Sequence, residues 1–458
     1  MGRHRACESL EKGQLMRLFL VAFVIFVGAL KLQAAPPNIV LILADDMGYG
    51  DLGCYGHPKA KTPIIDRLAK EGVRFTQHYS NGTECSPTRT ALLTGRYPQW
   101  AGGLECAIGT GNVGRYDDAI LLADRRQLGL PAEQVVLPGE LKKAGFVTGV
   151  FGKWHLGYEP HFNPIEHGWD EFFGYLGGNV HYFNHRETSD LHVLFRGRLP
   201  VHSEGYMTHL ITGSSTDFIA RNKNKPFFLF VSHESPHFPF QGPKDVDKKI
   251  TKENWMTPDP DTYVAMLEDL DSEVGRVLDS LKHHDLEQNT LVIFVSDNGG
   301  FAPAAHMGPL RGAKSTTLEG GIRVPLIMRW PGKLPAGQES SQVCATFDLT
   351  RSILNLTKGK APNRQLEGID IVQHLVERKP NIPRTLFWRG KRGERTWSAV
   401  RDGNLKFVRK TEGRTEEWLF DLSKDLAEET DLLFKKPKEG ARLKALLNGW
   451  EEDIVPVR

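Results

Sequence analysis

Continuous apolar runs, rich in β-branched residues, recur along the chain, and each ends abruptly in polar residues. Four such runs are NIVLILADD from Asn38, GFVTGVFGKWH from Gly145, PFFLFVSHESPH from Pro226 and TLVIFVSDNGG from Thr290. They lack the strict alternation that is typical of a half-exposed strand. The pattern therefore predicts strands that are covered on both faces.

Amphipathic stretches with helix signals lie between these runs. TPIIDRLAKEG offers Thr62 as the N-cap, Pro63 at the first helical position and Gly72 as a stop. A longer helix is predicted from DTYVAMLEDLDSEVGRVLDSLKHH. Alternating strands and helices indicate a mostly parallel sheet with helices on both faces. Because ligands bind beyond the carboxyl ends of such strands, the polar ends of the runs are expected at one edge.

After about residue 380 the pattern changes to short aromatic runs separated by Gly, Asp and Asn. TLFWRG, WSAVRDGNLKFVRK and EEWLFDLS indicate an antiparallel meander, and ARLKALLNGWEED indicates a terminal helix. The predicted fold class is α/β: a large, mostly parallel sheet sandwiched by helices, with a smaller C-terminal α+β subdomain carrying an antiparallel sheet. The predicted boundaries are a leader at 1–35, a main α/β domain at 36–380 and the C-terminal subdomain at 381–458.

The N-terminal sequence MRLFLVAFVIFVGALKLQAAPP has the layout of a secretory signal peptide. Its apolar run from Leu18 to Leu30 is shorter than the roughly 20 residues of a membrane span, and small residues follow at Ala34 and Ala35. The sequence therefore predicts export, to a periplasmic or extracellular location. An uncleaved membrane anchor is the alternative, and the start at Met1 or at Met16 is left open.

Composition narrows the function classes and leaves the cysteine pairing open. The 458 residues carry a formal net charge of +2, and no basic stripe interleaved with aromatics is present, so nucleic acid is not an expected partner. No stable membrane partner is expected either. The cysteines are Cys7, Cys54, Cys85, Cys106 and Cys344. If Cys7 leaves with the leader and Cys85 is functional, one disulfide and one unpaired thiol are compatible with the remaining three.

Two pairs of oxygen-bearing residues follow apolar runs. Asp45 and Asp46 end the first run, and Asp297 and Asn298 end a later one. Oxygen donors of this kind suit calcium or magnesium better than zinc, which prefers His and Cys. Either pair alone would be better interpreted as turn residues after a strand. Both pairs together, in one α/β chain, favour a metal site.

Cys85 stands at the start of a predicted helix, PTRTALLTG, that ends at Gly95. The positive end of the helix dipole and Arg89, four residues on, would both favour a thiolate there. A nucleophilic cysteine with a lowered pKa is the first functional hypothesis. A packed or disulfide-bonded cysteine is the alternative.

Several cationic or basic side chains also follow strands or glycine turns. Lys153 and His155 would lie on one face if the strand geometry persists, while Trp154 would point the opposite way. His237 lies in a proline-stiffened loop, SPHFPF, and Lys314 precedes a Gly-Gly turn. Each residue alone is ordinary, but cations gathered near a metal indicate a tetrahedral oxyanion such as phosphate or sulfate.

Together these residues resemble the type I sulfatase family of the alkaline-phosphatase superfamily. CSPTRTALLTGR, from Cys85, is similar to the family signature Cys-x-Pro-x-Arg followed by a Leu-Thr-Gly stretch. NIVLILADDMGYGDLGCYGHP, GKWHLG, SDNGG and KSTTLEGGIRVPLIMRWPG are similar to further family motifs and stand in the family's order. WLFDLSKDLAEETDLL is similar to the segment that closes many sulfatases. The resemblance runs from about Pro37 to Leu433.

The resemblance implies that Cys85 is converted to formylglycine (3-oxoalanine) by a formylglycine-generating enzyme. One hydroxyl of the hydrated aldehyde would attack sulfur and displace the substrate alcohol, and the other would then expel sulfate. The resemblance also implies one calcium ion per chain. Its ligands would be Asp45, Asp46, the modified Cys85, Asp297 and Asn298.

The same resemblance implies roles for the cationic and basic residues. Arg89 would steady the diol, and Lys153 and Lys314 would hold the sulfate oxygens. His155 would assist release from the sulfated intermediate, and His237 would protonate the leaving oxygen. In SHESPHFPF, His233 is the alternative to His237 for this last role.

The leading hypothesis is hydrolysis of a sulfate ester, on a sulfated small molecule or glycan, with a sulfated sugar favoured. A phosphonate or phosphodiester hydrolase on the same scaffold is the nearest alternative. A catalytically silent, sulfatase-like binding protein in which Cys85 stays a thiol is the other. The segment from Gly102 to Gln134 and GGNVHYFNHRETSDLHVLFRGRLPVHSEG carry no motif that indicates a particular substrate.

Overall fold

A computed structural model describes residues 36–109, 122–359 and 366–454 of the chain. The predicted leader at 1–35, with Cys7 and the choice between Met1 and Met16, lies outside the described residues. Within them, no helix is long and apolar enough to cross a membrane.

A ten-stranded sheet forms the centre of the described chain, in the order β11-β2-β10-β9-β1-β8-β4-β5-β6-β7. Its strands are β1 Asn38–Ala44, β2 Val73–Phe75, β4 Val147–Lys153, β5 Glu171–Tyr175, β6 Leu194–Arg196, β7 Leu199–Pro200, β8 Phe227–Ser232, β9 Thr290–Ser296, β10 Leu326–Arg329 and β11 Gln338–Ser340. The contiguous strands β9, β1, β8, β4 and β5 are parallel, and β10, β6 and β7 join antiparallel. A separate two-stranded pair joins β3 His78–Tyr79 to β12 Cys344–Ala345.

Strand β1 shows why the apolar runs do not alternate. All its residues are buried; Ile39, Leu41 and Leu43 pack into one apolar cluster, and Val40 and Ile42 pack into a second one. Helices cover both faces of the sheet, so successive side chains enter two different cores, as a doubly covered strand requires. The central strands β9, β8 and β4 are the other runs singled out in the sequence.

The helices occupy the segments between the strands. They are α1 Pro63–Glu71, α2 Cys85–Thr94, α3 Leu137–Lys143, α4 Met207–Asn222, α5 Pro260–His283, α6 Glu319–Ile322, α7 Thr346–Leu356, α8 Ile371–Val376 and α9 Pro437–Asp453. Short 3-10 turns lie at Gly53–Tyr55, Pro98–Trp100, Ala132–Gln134, Pro160–Phe162, Pro164–His167 and Glu287–Asn289. As predicted, Pro63 begins α1, which ends before Gly72.

A four-stranded antiparallel sheet forms the C-terminal part of the chain. Its strands are β13 Thr385–Arg392, β14 Arg395–Asp402, β15 Leu405–Glu412 and β16 Arg414–Asp421. Helix α9 packs against this sheet through Leu443, Leu447 and Trp450. The predicted fold class is confirmed, while the domain boundaries at 35/36 and 380/381 stay predictions.

The cysteines in the described chain form no disulfide bond. Cys85, Cys106 and Cys344 are buried, and Cys54 is half-buried. The structure thus offers no support for the single disulfide considered from the sequence.

Candidate active site

Four neighbouring strands of the large sheet end at one place and bring polar residues together. Asp45 and Asp46 follow β1, and Asp297 follows β9, with which β1 is paired in parallel register through Ala44 and Ser296. The Asp297 amide donates to the Ala44 carbonyl at 3.1 Å, and the Asp46 amide donates to Asp297 Oδ1 at 3.2 Å. These contacts hold the buried carboxylates at the edge where the sequence places them.

Cys85 enters this edge from the first turn of α2. The helix begins at Cys85 and ends at Gly95, whose φ of 68° closes it with a left-handed turn. Cys85 is fully buried, and its Sγ lies 3.2 Å from Asp45 Oδ1 and 3.8 Å from Asp46 Oδ1. The thiol is thus in contact with the carboxylates.

Each carboxylate in this cluster has a cationic partner. Lys153 Nζ, at the end of β4, donates to Asp45 and lies 3.3 Å from Cys85 Sγ. Lys314 Nζ lies 2.7 Å from Asp46 and 3.5 Å from Cys85 Sγ. In the remaining pair, Arg89 donates through Nε and Nη2 to Asp297 Oδ2, at 3.2 and 3.0 Å. Arg89 Nη2 also lies 3.8 Å from Asp45 Oδ2, so three buried cations and three buried carboxylates form one connected cluster that includes Cys85.

His237 belongs to the cluster, and His233 does not contact it. His237 Nδ1 lies 2.6 Å from the Phe238 carbonyl, which leaves Nε2 at 3.3 Å from Asp46 Oδ2 and 3.2 Å from Lys314 Nζ. Both ring nitrogens of His233 are buried, and neither has a hydrogen-bond partner among the described residues. Of the two histidines that the sequence left open, the structure therefore brings only His237 to the charged groups.

His155 lies next to the cluster without touching its charged groups. Strand β4 ends at Lys153, and His155 takes a φ of 58°, so the strand geometry does not continue to His155. The condition for the predicted common face of Lys153 and His155 is therefore not met. The His155 Nε2 lies 2.5 Å from the Ile108 carbonyl. Trp154 is buried, and its Nε1 donates to the Phe162 carbonyl at 2.7 Å.

The prediction of a lowered pKa for the Cys85 thiol is wrong. Burial, followed by the carboxylates of Asp297 and Asp45, raises that pKa well above its usual value, although Lys153 and Lys314 oppose the shift. The helix dipole is therefore outweighed by desolvation and by negative charge at close range. Burial and the two carboxylates thus favour the neutral thiol over the thiolate at this position.

The donor set fits a hard divalent cation. Ligand atoms of Asp45, Asp46, Cys85 and His237 lie within 4.8 Å of one another. Asn298 donates through Nδ2 to Asp46 Oδ1 at 2.7 Å, and its Oδ1 is buried without a partner. Such an orphaned oxygen beside carboxylates is a ready cation ligand. Burial and neighbouring Asp297 also raise the pKa of Asp45 to about 7, although Lys153 opposes this shift. A bound cation would offset the repulsion between these negative charges.

One predicted metal ligand, Asp297, lies outside the group of ligand atoms that come together, and one residue not predicted as a ligand, His237, lies inside it. Asp297 instead turns its Oδ2 to Arg89. Calcium prefers oxygen ligands, so His237 is the less suitable member of that group.

Two residues at the site carried no sequence signal. Ser232, at the end of β8, accepts from Arg89 Nη1 at 2.7 Å and donates to the Lys153 carbonyl at 2.6 Å, so it links the Arg89 guanidinium to the backbone at the end of β4. Glu84, directly before Cys85, is buried and bound to three other segments. Both belong to common residue types, and only their long-range contacts distinguish them.

The fold and this cluster define an α/β protein of the alkaline-phosphatase type with a centre suited to a cation and an oxyanion. The family profile described as Sulfatase matches residues 37–360, and the profile described as N-sulphoglucosamine sulphohydrolase, C-terminal, matches residues 313–451. The chain belongs to the sulfatase family, whose members hydrolyse sulfate esters.

Curated relatives agree with this assignment. N-acetylgalactosamine-6-sulfatase of Canis lupus familiaris is 35% identical over 363 residues, which cover 74% of this chain and 66% of that protein. Arylsulfatase A of Homo sapiens is 31% identical over 454 residues, covering 87% of this chain and 84% of that protein. The chain thus spans about two thirds of the first relative and most of the second.

Solved structures share the fold across the chain. The crystal structure of Ps i-CgsB in complex with k-i-k-neocarrahexaose has a TM-score of 0.80 at 28% identity, covering 92% of this chain and 94% of that one. A phosphonate monoester hydrolase of Agrobacterium radiobacter has a TM-score of 0.64 at 20% identity, over 92% and 96% of the two chains, and shares the fold alone.

Proposed function

We propose that this protein hydrolyses a sulfate ester of a sulfated carbohydrate. The observation that carries the proposal is the group of buried cations at Cys85: Lys153 and Lys314 contact its Sγ, and Arg89 pairs with Asp297 in the same cluster. His237 lies beside Lys314. Cations in a buried site stabilise a tetrahedral oxyanion where its charge develops. In this proposal, Lys153 and Lys314 bind the sulfate oxygens, and Arg89, braced by Asp297 and Ser232, orients the residue at position 85.

Two groups that the family implies would complete the chemistry. A calcium ion held by Asp45, Asp46, Asn298 and the residue at position 85, with Asp297 beside them, would supply positive charge for the sulfate oxygens. An aldehyde made from Cys85 by a formylglycine-generating enzyme would supply, when hydrated, the oxygen nucleophile that the neutral thiol does not.

In this proposal His237 protonates the departing alkoxide oxygen, which leaves as the alcohol, through Nε2, the ring nitrogen that faces the cluster. Burial and Lys314 hold the pKa of His237 well below its usual range. A bound sulfate group would favour the imidazolium, because an opposite charge nearby stabilises the charged form. The substrate itself thus helps to prepare the proton donor.

Sugar sulfates are proposed as substrates because of the relatives' names. The canine relative is an N-acetylgalactosamine-6-sulfatase, and the Ps i-CgsB structure holds a neocarrahexaose. Export, as the N-terminal pattern predicts, would expose the protein to extracellular or periplasmic glycans. The phosphonate hydrolase alternative has weaker support, since that neighbour is 20% identical.

Turnover of matched esters tests the proposal. Purified protein should hydrolyse 4-nitrophenyl sulfate and a sulfated sugar with kcat/KM at least about tenfold above its values on phenyl phosphonate and phosphodiester analogues. Sulfate release measured by ion chromatography, and nitrophenol by absorbance, would give these constants. Dominant phosphodiester or phosphonate cleavage would overturn the proposal in favour of its rival. Tight binding of sulfated sugars without any turnover would identify a silent binding protein.

The proton-donor role predicts a dependence on the leaving group. His237→Ala should lower kcat on a sugar sulfate by about 10²-fold, since an alkoxide needs a proton as it departs. The kcat of the same variant on 4-nitrophenyl sulfate should fall far less, because nitrophenolate leaves without a proton. His233→Phe is the matched control, because His233 lacks contacts to the cluster. Equal losses on both substrates would contradict the assignment to His237.

A further inference from the structure

Glu84 closes a ring of contacts between Cys85 and Lys314. Its side chain is 2% exposed, and its Oε1 accepts from Ser315 Oγ at 2.8 Å. Ser315 directly follows Lys314, whose Nζ returns to Cys85 Sγ at 3.5 Å. Cys85 and Lys314 are therefore linked twice: directly, from Nζ to Sγ, and through the hydrogen bond between their chain neighbours Glu84 and Ser315.

The backbone at Ser315 needs the support that this carboxylate gives. Ser315 has a φ of 73°, in the left-handed region, which is unfavourable for residues that carry a side chain. Its amide donates to the Thr83 carbonyl at 2.8 Å, and its hydroxyl donates to Glu84. Both contacts come from the two residues before Cys85, so this segment holds the turn that presents Lys314.

The other oxygen of Glu84 ties the ring to two further segments. Oε2 accepts from the Ala107 amide at 2.8 Å and pairs with Arg392 Nη2 at 2.6 Å. Arg392 ends β13 of the C-terminal sheet. The strand approaches closely here, because a Cβ added at Gly390 would lie 2.5 Å from Thr83 Oγ1. A buried charge-assisted bond of this kind fixes geometry more strongly than a neutral one.

We propose that Glu84 is a positioning residue for the reaction, which holds Lys314 at its distance from Cys85 by fixing Ser315 and which anchors this arrangement to the C-terminal sheet through Arg392. The inference rests on the proposed function and adds a residue that does not touch the substrate. Without Glu84, the strained Ser315 turn would relax and move the Lys314 ammonium, and misplacements of about 1 Å in an active site cost up to about 10²-fold in rate.

Binding of inorganic sulfate tests this role independently of turnover. In calcium-containing buffer, Glu84→Ala, which removes the acceptor for the Ser315 hydroxyl, should weaken sulfate binding by about tenfold in isothermal titration calorimetry, and Ser315→Ala should do the same. The double variant should be no weaker than the worse single one, because both changes break the same link. The kcat per mole of aldehyde, with aldehyde content measured by mass spectrometry of the Cys85 peptide, should fall with the sulfate affinity.

Arg384→Gln is the matched control. It breaks a buried ion pair to Asp348 next to β13 and so lowers the melting temperature without touching the ring. Sulfate affinity unchanged in Glu84→Ala would overturn the proposal, as would losses of affinity that track melting temperature across all variants. Activity that falls only with aldehyde content would also overturn it, since Glu84 would then act in maturation. If the unchanged, aldehyde-bearing protein cleaves no sulfate ester, the proposed function fails, while the sulfate titrations still decide the role of Glu84.

Discussion

Cys85→Ala should lower turnover of a sulfate ester by about 10⁴-fold or more, because loss of a covalent nucleophile removes the reaction path itself. The side chain lies at the centre of the cluster, within 3.5 Å of both lysine ammonium groups. Initial rates on 4-nitrophenyl sulfate, with protein produced beside a formylglycine-generating enzyme, would measure the loss. Mass spectrometry of the unchanged Cys85 peptide should show a sulfur atom replaced by an aldehyde oxygen.

Cys344→Ala is the matched control for this change. Cys344 is buried like Cys85 but lies in β12, where its Sγ lies 3.9 Å from the Gln77 carbonyl. Its removal should cost stability through the small cavity that it leaves, without a comparable effect on kcat. Retained turnover in Cys85→Ala, or an unmodified thiol in fully active protein, would contradict the nucleophile assignment.

The edge of the sheet at which the site lies follows from the hydrophobic pattern. Buried parallel strands have a characteristic unbroken apolar run, so the ends of β1, β4, β8 and β9 are visible in the sequence. Their polar successors meet because parallel strands end at the same edge. The resemblance to sulfatases, confirmed by the comparisons, assigns roles to these residues; those roles stay predictions.

Properties that depend on several segments at once were not predictable. The sequence around Cys85 predicts a lowered pKa from the helix dipole, but Asp45 and Asp297 arrive from two distant strands and, with burial, reverse the shift. Glu84 has no local signature, since its partners Ser315 and Arg392 lie hundreds of residues away. Local periodicity describes which elements form, and only the packed structure shows which charges they bring together.

The electrostatic balance of the site is also a property of the assembled fold. Asp45, Asp46 and Asp297 carry three negative charges when ionised, and Lys153, Lys314 and Arg89 offset them. A divalent cation bound among these groups would leave the site with an excess of about two positive charges. Such an excess favours a sulfate group in a buried environment, where charges interact more strongly than in water.

Removal of the proposed calcium ion should therefore lower both the hydrolysis of sulfate esters and the affinity for inorganic sulfate. The kcat/KM of chelator-treated protein should fall by about 10³-fold. This loss corresponds to the several kcal/mol by which a Lewis-acid cation stabilises the charge of the transition state. The chelator-treated protein should also bind inorganic sulfate about tenfold more weakly by calorimetry, and by linkage sulfate should raise calcium affinity by the same factor. Restoring calcium should recover both properties, which controls for damage by the chelator. Equal sulfate affinity with and without calcium would show that the cation does not bind beside Lys153 and Lys314.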